Sequence, residues 1–166
     1  MQISVGRCVF QSTSEIMTES LTLQARRIQG ITGHYVYGGA VSYTDVEQWK
    51  EVQQLLMRSI SEMLQAAPEC PEEEAEVLLA VLMTGSVAMR YPDYMDEALV
   101  RAEKVLPHLQ DKVLKCHLMV FCYGECPDEL LADDIYRLMD ELKDEGKEEE
   151  IRVVAELMEN LVESQL

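Results

Sequence analysis

The chain of 166 residues contains 48% hydrophobic residues and has a formal net charge of −17 at pH 7. This length and apolar content fit one domain with a buried core, and no run of about 18 apolar residues or N-terminal signal-like segment occurs, so we expect a cytoplasmic protein without a membrane span. Because a strongly acidic protein repels nucleic acid and anionic membranes, we expect a protein partner with a basic surface.

The first predicted helix spans Ser12–Gln29. Ser12 and Glu15 have capping-box spacing, and apolar residues follow at helical intervals. The segment Gly30–Thr44 then contains four glycines and three tyrosines, and glycine readily ends a helix, so we predict a long Gly/Tyr loop over residues 30–44. Residues 1–11 are expected to be disordered or loosely attached.

Two longer helices are predicted next. Thr44 begins the second, and Trp49 and Ile60 belong to its apolar stripe. Pro71 begins the third, because proline is favoured in the first helical turn, and the three glutamates that follow it suit the positive end of the helix dipole. Apolar residues then cover almost every side of this helix, so we expect it to be central and to end at Tyr91, which precedes a proline.

Four more helices complete the prediction. We expect Asp93 to cap the fourth and Pro107 to interrupt it, and the fifth to run from Asp111 to Tyr123. Pro127 begins the sixth, and Gly146 separates the sixth from the seventh. No segment has the alternating, β-branched pattern of a strand.

The sequence therefore predicts an all-α fold, with residues 1–166 forming one antiparallel helical bundle or array of about seven helices. The third-to-fourth and fifth-to-sixth helix pairs have similar lengths, which suggests tetratricopeptide-like helix pairs. The characteristic Trp, Gly, Tyr, Ala and Pro positions of that repeat are absent, so the repeat stays an open alternative.

Cysteine and histidine residues gather in the predicted fifth helix and just after it. Cys116, His117, Cys122 and Cys126 lie within eleven positions, but only Cys122 and Cys126 have the close spacing of a zinc knuckle. The cysteines are odd in number, and a domain of this size does not need disulfides. We favour reduced, buried cysteines and a hydrogen-bonded core histidine over a metal site.

No pattern of an enzyme stands out. The sequence contains no H-E-x-x-H or G-x-S-x-G motif and no recognisable Ser, His and Asp set. With 31 acidic residues, the spacing of carboxylates carries little information. We expect no catalytic residue, bound metal or cofactor.

The negative charge lies almost entirely in one part of the chain. Residues 1–66 contain six acidic and five basic residues, whereas residues 67–166 contain 25 acidic and nine basic residues. Because the acidic part has clear helical periodicity, we expect it to be folded rather than a disordered tail. Its self-repulsion exceeds what solubility requires, so a role in partner binding competes with the simpler solubility explanation.

Candidate partner-binding residues come from the Gly/Tyr loop and from the acidic helices. Exposed tyrosines in a loop are typical of recognition surfaces, although packing of the loop onto the bundle is favoured for at least two of the three. The helix dipole is the first explanation for glutamates at a helix start. The candidates are Tyr35, Tyr37, Tyr43, Glu72, Glu73, Asp133 and Asp134.

Residues 71–128 resemble the UpxZ family of transcription antitermination antagonists. The clearest pieces are Glu72–Glu76 followed by Leu78–Met83, and Val113–Glu125, which reads VLKCHLMVFCYGE against a family pattern of LLKCxLxxYCYGE. The preceding order of helix, Gly/Tyr loop and second helix is also similar, and the resemblance covers residues 14–143. The motif is a structural helix signature rather than a catalytic one.

The resemblance implies a regulatory protein. Members of this family are encoded in capsular polysaccharide operons of anaerobic gut bacteria, and they inhibit NusG-like antiterminators of other capsule loci. No contact residue is transferred by the resemblance. We hypothesise that the acidic helices mask a basic surface of the antiterminator, while less charged elements such as the Gly/Tyr loop select among related antiterminators.

Two alternatives from other classes remain. One is a tetratricopeptide-like scaffold that gathers partner peptides, which a concave groove would favour. The other is a small metal- or thiol-dependent protein that uses Cys116, His117, Cys122 and Cys126, which bound metal or a reactive thiol would favour.

Overall fold

The computed structural model describes residues 20–37, 43–88 and 91–166, without the side chains of residues 43–46. This part of the chain contains seven α-helices and no β-strand, so the all-α prediction is confirmed. The helices are α1 (Leu21–Tyr37), α2 (Tyr43–Gln65), α3 (Pro71–Ser86), α4 (Met95–Val105), α5 (Lys112–Glu125), α6 (Glu129–Asp144) and α7 (Glu148–Ser164). A short 3-10 turn, Leu106–His108, follows α4 and contains the predicted interruption at Pro107.

Helix α3 is the centre of the fold. Its residues from Ala75 to Gly85 are all buried, and α1, α2, α4 and α5 pack around it. A helix that is apolar on every side needs neighbours on every side, so the predicted central position is confirmed. The helix begins at Pro71 as predicted but ends at Ser86 rather than Tyr91. The Ser86 hydroxyl donates to the Met83 carbonyl at 2.7 Å as the helix ends.

Helix α5 connects two groups of buried side chains. One of its sides contributes Leu118 and Phe121 to the core around α3. Its other side contributes Met119 and Val120 to a second core with α6 and α7. The connectors on either side of α6 are short, and Gly146, with a φ of +77°, provides the left-handed turn between α6 and α7.

The predicted Gly/Tyr loop is wrong over residues 30–37, which are helical and extend α1 to Tyr37, and over residues 43–44, which belong to α2. One helical glycine costs about 1 kcal/mol relative to alanine, which tertiary packing readily outweighs. The packing here includes the buried Ile28 and Thr32 on the side of α1 that meets α3. The predicted start at Ser12, residues 1–11 and the rest of the loop at residues 38–42 lie outside the described residues.

The helix caps differ in detail from the prediction. Asp93 does not cap α4, since the capping position is Tyr94 and no side chain bonds there. Asp111 does cap α5, and its carboxylate accepts a hydrogen bond from the Leu114 N–H at 3.1 Å. Asp128 caps α6 in the same way, so α6 begins two residues later than a start at Pro127. Within the described ranges, no helix is both long enough and apolar enough to span a membrane.

Two glycines test how closely the helices pack. A methyl group at Gly85 would overlap the sulfur of the buried Met95, whereas one at Gly30 would meet nothing within 4 Å. We expect Gly85→Ala to lower the free energy of unfolding by about 1–3 kcal/mol, because an overfilled core must shift. We expect Gly30→Ala to raise it by about 0.5–1 kcal/mol, because alanine favours the helix. Urea unfolding followed by circular dichroism measures both, and equal effects of the two changes would contradict the packing described here.

Candidate protein-binding surface

The first turn of α3 is tied to the rest of the fold through its glutamates. The Glu72 carboxylate accepts a hydrogen bond from the Gln110 backbone N–H at 2.9 Å, just before α5. The Glu73 carboxylate accepts one from the Glu69 backbone N–H at 2.8 Å and one from the Thr22 hydroxyl of α1 at 3.4 Å. Both of these candidate partner-binding residues are therefore engaged inside the chain.

Two further glutamates of α3 make ion pairs with arginines of neighbouring helices. The Glu74 carboxylate lies 2.7 Å from Nε of Arg101 on α4. The buried Glu76 carboxylate lies 3.0 Å from the guanidinium of Arg26 on α1, and it also accepts a hydrogen bond from the Gln29 amide at 2.9 Å. Only the Glu74–Arg101 pair is largely shielded on both sides, since the Arg26 side chain is 61% exposed. Loss of Arg101 would therefore leave the Glu74 charge uncompensated, while Glu76 connects α1 to α3 through both Arg26 and Gln29.

The two candidate tyrosines whose side chains the structure describes pack against the core. The Tyr35 ring lies 4.5 Å from that of Trp49, centroid to centroid, and Tyr37 meets the edge of Phe121 at 6.4 Å. Burial raises the pKa of Tyr37 to about 12. The packing explanation therefore accounts for these two residues. The side chain of Tyr43 lies outside what the structure describes.

Asp133 and Asp134 are exposed side by side on α6. The Asp134 carboxylate lies 3.1 Å from the Arg137 guanidinium, one turn away on the same helix. Within the described part of the chain, Asp133 makes no ion pair. An exposed pair such as that of Asp134 adds little stability, so both carboxylates are available to a partner.

These two aspartates belong to a larger charged surface. Residues 128–166 contain fourteen acidic and four basic residues, a net formal charge of −10, and all fourteen acidic residues are exposed. We call the following residues the α6–α7 acidic surface: Asp128, Glu129, Asp133, Asp134, Asp140, Glu141, Asp144, Glu145, Glu148, Glu149, Glu150, Glu156, Glu159 and Glu163. A surface of this charge attracts basic partners and accelerates their encounter.

A groove lies beside this surface, between α4 and α6. Helix α4 packs mainly against α3, and α6 packs against α5 and α7, which leaves a gap of about 580 Å³ above the end of α5. Its apolar floor consists of Leu99, Leu106, Cys122 and Leu131, and Val100 and Cys126 lie at its margin. Its acidic rim consists of Asp96, Glu103 and Asp128. We call this gap the α4–α6 groove.

This groove was not predicted from the sequence. Asp96, Leu99, Val100 and Glu103 have the i, i+3, i+4, i+7 spacing that places them on one face of α4. That spacing was a usable signal, because it predicts a second, half-apolar face beside the buried one. The remaining residues come from segments far away in the sequence, and only the fold brings them together.

The cysteines and the histidine of α5 do not form a reactive site. Cys116 and Cys122 are buried, and burial raises the pKa of their thiols to about 11 and about 12. Nε2 of the half-buried His117 lies 3.3 Å from the Glu150 carbonyl, in agreement with a hydrogen-bonded histidine against the core. In the ranges that the structure describes, no three His, Cys, Asp or Glu side chains are placed to hold a metal ion.

The family model of the UpxZ family of transcription anti-terminator antagonists matches residues 28–124. The chain belongs to the UpxZ family. The resemblance noted in the sequence is thereby confirmed, and the matched segment ends before α6, so the α6–α7 acidic surface lies outside it. No curated protein sequence matches the chain significantly.

A solved structure agrees with the UpxZ fold. The crystal structure of a transcription anti-terminator antagonist UpxZ from Bacteroides uniformis ATCC 8492 superposes with a TM-score of 0.72 and 22% sequence identity. The alignment covers 89% of this chain and 96% of that chain. At this identity the likeness concerns the fold, and it shows that the whole helical array, rather than one motif, is shared.

The burial of the thiols can be tested by alkylation. We expect iodoacetamide to modify the exposed Cys70 and Cys126 rapidly in the native protein, while Cys116 and Cys122 stay unmodified, because they are buried and remain protonated. Peptide mass spectrometry after timed quenching identifies each site. All four should react in denaturant. Rapid native labelling of Cys122 would instead support the thiol-dependent alternative.

The contact of Glu72 with Gln110 predicts a pH dependence. Hydrogen bonding, first from the Gln110 N–H, lowers the pKa of Glu72 below its ordinary value of 4.5. A lowered pKa means that the ionised carboxylate stabilises the fold at neutral pH, and that this contribution is lost as pH falls through the folded-state pKa. We expect Glu72→Gln to lower the Tm at pH 7, and the difference from the unmodified protein to disappear in acid.

Thermal unfolding between pH 7 and pH 3 measures this difference. Glu51→Gln, on the exposed side of α2, is the matched control and should leave the Tm nearly unchanged throughout. A Tm difference for Glu72→Gln that stays constant across this pH range would show that the ionised carboxylate is not the cause.

Proposed function

We propose that this protein antagonises NusG-like transcription antiterminators of capsular polysaccharide operons by binding them directly. The observation that carries the proposal is the match of residues 28–124 to a family of transcription anti-terminator antagonists. The sequence resemblance adds the NusG-like partner and the capsule operons. Such a role is exerted where transcription takes place, which supports a cytoplasmic location.

The charge of the surface supports binding to a protein rather than to nucleic acid. The α6–α7 acidic surface has a net formal charge of −10 and repels phosphate groups, while it attracts lysine and arginine side chains. An antiterminator that contacts polymerase or nucleic acid through basic residues would be blocked if this surface covered them. This mode of inhibition needs a rigid scaffold and a complementary surface, not an active site.

The scaffold alternative is favoured by one specific observation, the α4–α6 groove, because a concave groove suits the capture of peptides. The two functions differ in partner range. An antagonist binds a few related antiterminators, whereas a general scaffold binds unrelated proteins that share a short segment.

Binding to purified NusG-like antiterminators from several capsule loci tests the proposal. We expect isothermal titration calorimetry to detect binding to at least one of them and the affinity to fall as NaCl rises from 50 to 500 mM, because salt screens exposed charges. The same protein should then reduce antiterminator-dependent readthrough by RNA polymerase in a transcription assay. Failure to bind any of these antiterminators would contradict the proposed function, and salt-independent binding would contradict its electrostatic part.

A double substitution tests the contribution of the α6–α7 acidic surface. We expect Asp133→Asn with Asp134→Asn to weaken binding by about 2- to 30-fold, since each of the two exposed charges contributes roughly 0.2–1 kcal/mol. The control, Glu51→Gln with Glu62→Gln on α2, changes the net charge by the same amount. Equal weakening by both pairs would mean that net charge, and not this surface, determines the affinity.

A further inference from the structure

Helix α4 has two apolar faces, of which the fold covers one. Met95, Ala98 and Ala102 are buried against α3 and its neighbours. On the face toward the α4–α6 groove, Leu99 is only partly covered and Val100 is 52% exposed. Apolar side chains left in contact with water gain free energy when a partner covers them, so this second face favours a binding role.

The rim of the groove carries charge of one sign. Asp96 and Glu103 lie on α4 and Asp128 lies at the start of α6, and none of the described residues that line the groove is basic. Glu103 makes no ion pair within the described ranges, whereas Asp96 accepts a hydrogen bond from the Tyr91 hydroxyl at 3.0 Å. Burial is the main cause of the raised pKa of Cys122, and the nearby Cys126 and Glu103 raise it further. The negative field of Glu103 therefore reaches the apolar floor.

Two other grooves among the described residues differ in this respect. The groove between α2 and residues 91–94 contains both Lys50 and Asp93. The groove between α5 and α6 contains Lys112, Lys115 and Arg137 together with acidic residues. Opposite charges within one groove cancel each other at a distance, so neither groove presents charge of a single sign to a partner.

Size and charge together restrict the occupant. A volume of about 580 Å³ accommodates several side chains but not a folded domain, so a protein partner would enter the groove through a short segment. An acidic segment, a nucleic acid or a second copy of this chain would place negative charge against the rim. A segment with apolar residues on one side and Lys or Arg residues along its flanks can pack on the apolar floor and pair with the acidic rim.

We propose that the α4–α6 groove binds a short amphipathic segment of a partner protein, with its apolar side chains against Leu99, Val100 and Leu131 and its Lys or Arg side chains against Asp96, Glu103 and Asp128. The inference rests on the proposed function only for the identity of the protein that carries the segment. It adds a contact site, distinct from the open α6–α7 acidic surface, at which apolar burial and charge act together.

Fluorescence anisotropy with three labelled synthetic peptides tests this binding mode on the full chain. The first peptide is twelve residues long, with leucines at helical spacing and lysines between them. The second replaces each lysine by glutamate, and the third has the composition of the first in scrambled order. We expect binding of the first peptide, none of the second, and at least about tenfold weaker binding of the third, because only the first aligns its apolar side. Equal binding of the first and third peptides, or no binding of the first, would overturn the proposal.

Matched variants assign the binding to the groove. We expect Glu103→Lys to weaken binding of the first peptide at least about tenfold, since like charges placed together cost more than 1.4 kcal/mol. Glu51→Lys changes the net charge equally from α2 and should weaken it less than about twofold. Val100→Lys and Val153→Lys form a second pair, because both valines are exposed and only Val100 lines the groove. Equal effects within either pair would overturn the proposal.

The outcome is separable from that of the proposed function. Circular dichroism and thermal unfolding first establish that each variant is folded. If an antiterminator binds but the lysine peptide does not, the groove proposal is wrong and the proposed function stands. If the peptide binds in the groove while no NusG-like protein binds, the groove proposal stands and the proposed function is wrong.

Discussion

The fold depends on a single helix that is buried on every side. Eleven consecutive residues of α3 are removed from water, which no pair of helices could achieve, so four other helices must surround it. The acidic residues in the first two turns of the same helix supply the polar contacts that orient these neighbours. Glu74 and Glu76 pair with cations on α4 and α1, and Glu72 reaches the residue before the α5 cap. Apolar burial thus holds the array together, and the carboxylates at one end of α3 fix its geometry.

Helix α5 connects the core around α3 to the helices of the acidic part of the chain. Because α5 is apolar on two sides, it belongs both to the core around α3 and to the core with α6 and α7. Helices α6 and α7 can then present every one of their acidic residues to solvent while their stripes of Ile135, Leu142, Val154 and Met158 stay buried. The mutual repulsion of these charges opposes folding, and the shared core offsets it. A folded surface of net charge −10 is the result.

Much of this architecture was predictable, because helical periodicity and punctuation by proline and glycine are local signals. The central role of α3, its start at Pro71 and the turn at Gly146 all follow from such signals. The prediction of a Gly/Tyr loop was wrong over residues 30–37 because it considered only the local glycine content. Packing of α1 on α3 stabilises the helix by more than the glycines destabilise it. For the same reason Tyr35 and Tyr37 were candidates for a partner although they contact Trp49 and Phe121.

The functional surfaces were predictable to different degrees. The acidic residues of α6 and α7 could be placed on a folded exterior, because charged positions between apolar stripes face solvent. The sequence did not show that Glu72 and Glu73, unlike those exposed acidic residues, are bonded within the chain. Their partners Gln110, Glu69 and Thr22 are defined only by the fold. The α4–α6 groove was the hardest to foresee, because it is a gap between helices that hardly touch, and a gap has no sequence pattern of its own.

The acidic surface and the groove solve different parts of the recognition problem. A spread of exposed carboxylates acts over about one Debye length, roughly 8–10 Å at physiological salt, so it gathers basic partners without distinguishing among them. Selection requires contacts that a wrong partner fails to make, and those act only at van der Waals range. The groove provides such contacts beside the acidic surface, with Asp128 belonging to both. In the proposed binding mode, a partner attracted by α6 and α7 then places its apolar side chains in the adjacent groove. Under that proposal, charge alone would not distinguish related antiterminators, whereas an apolar floor of fixed shape would favour those whose segment fits it.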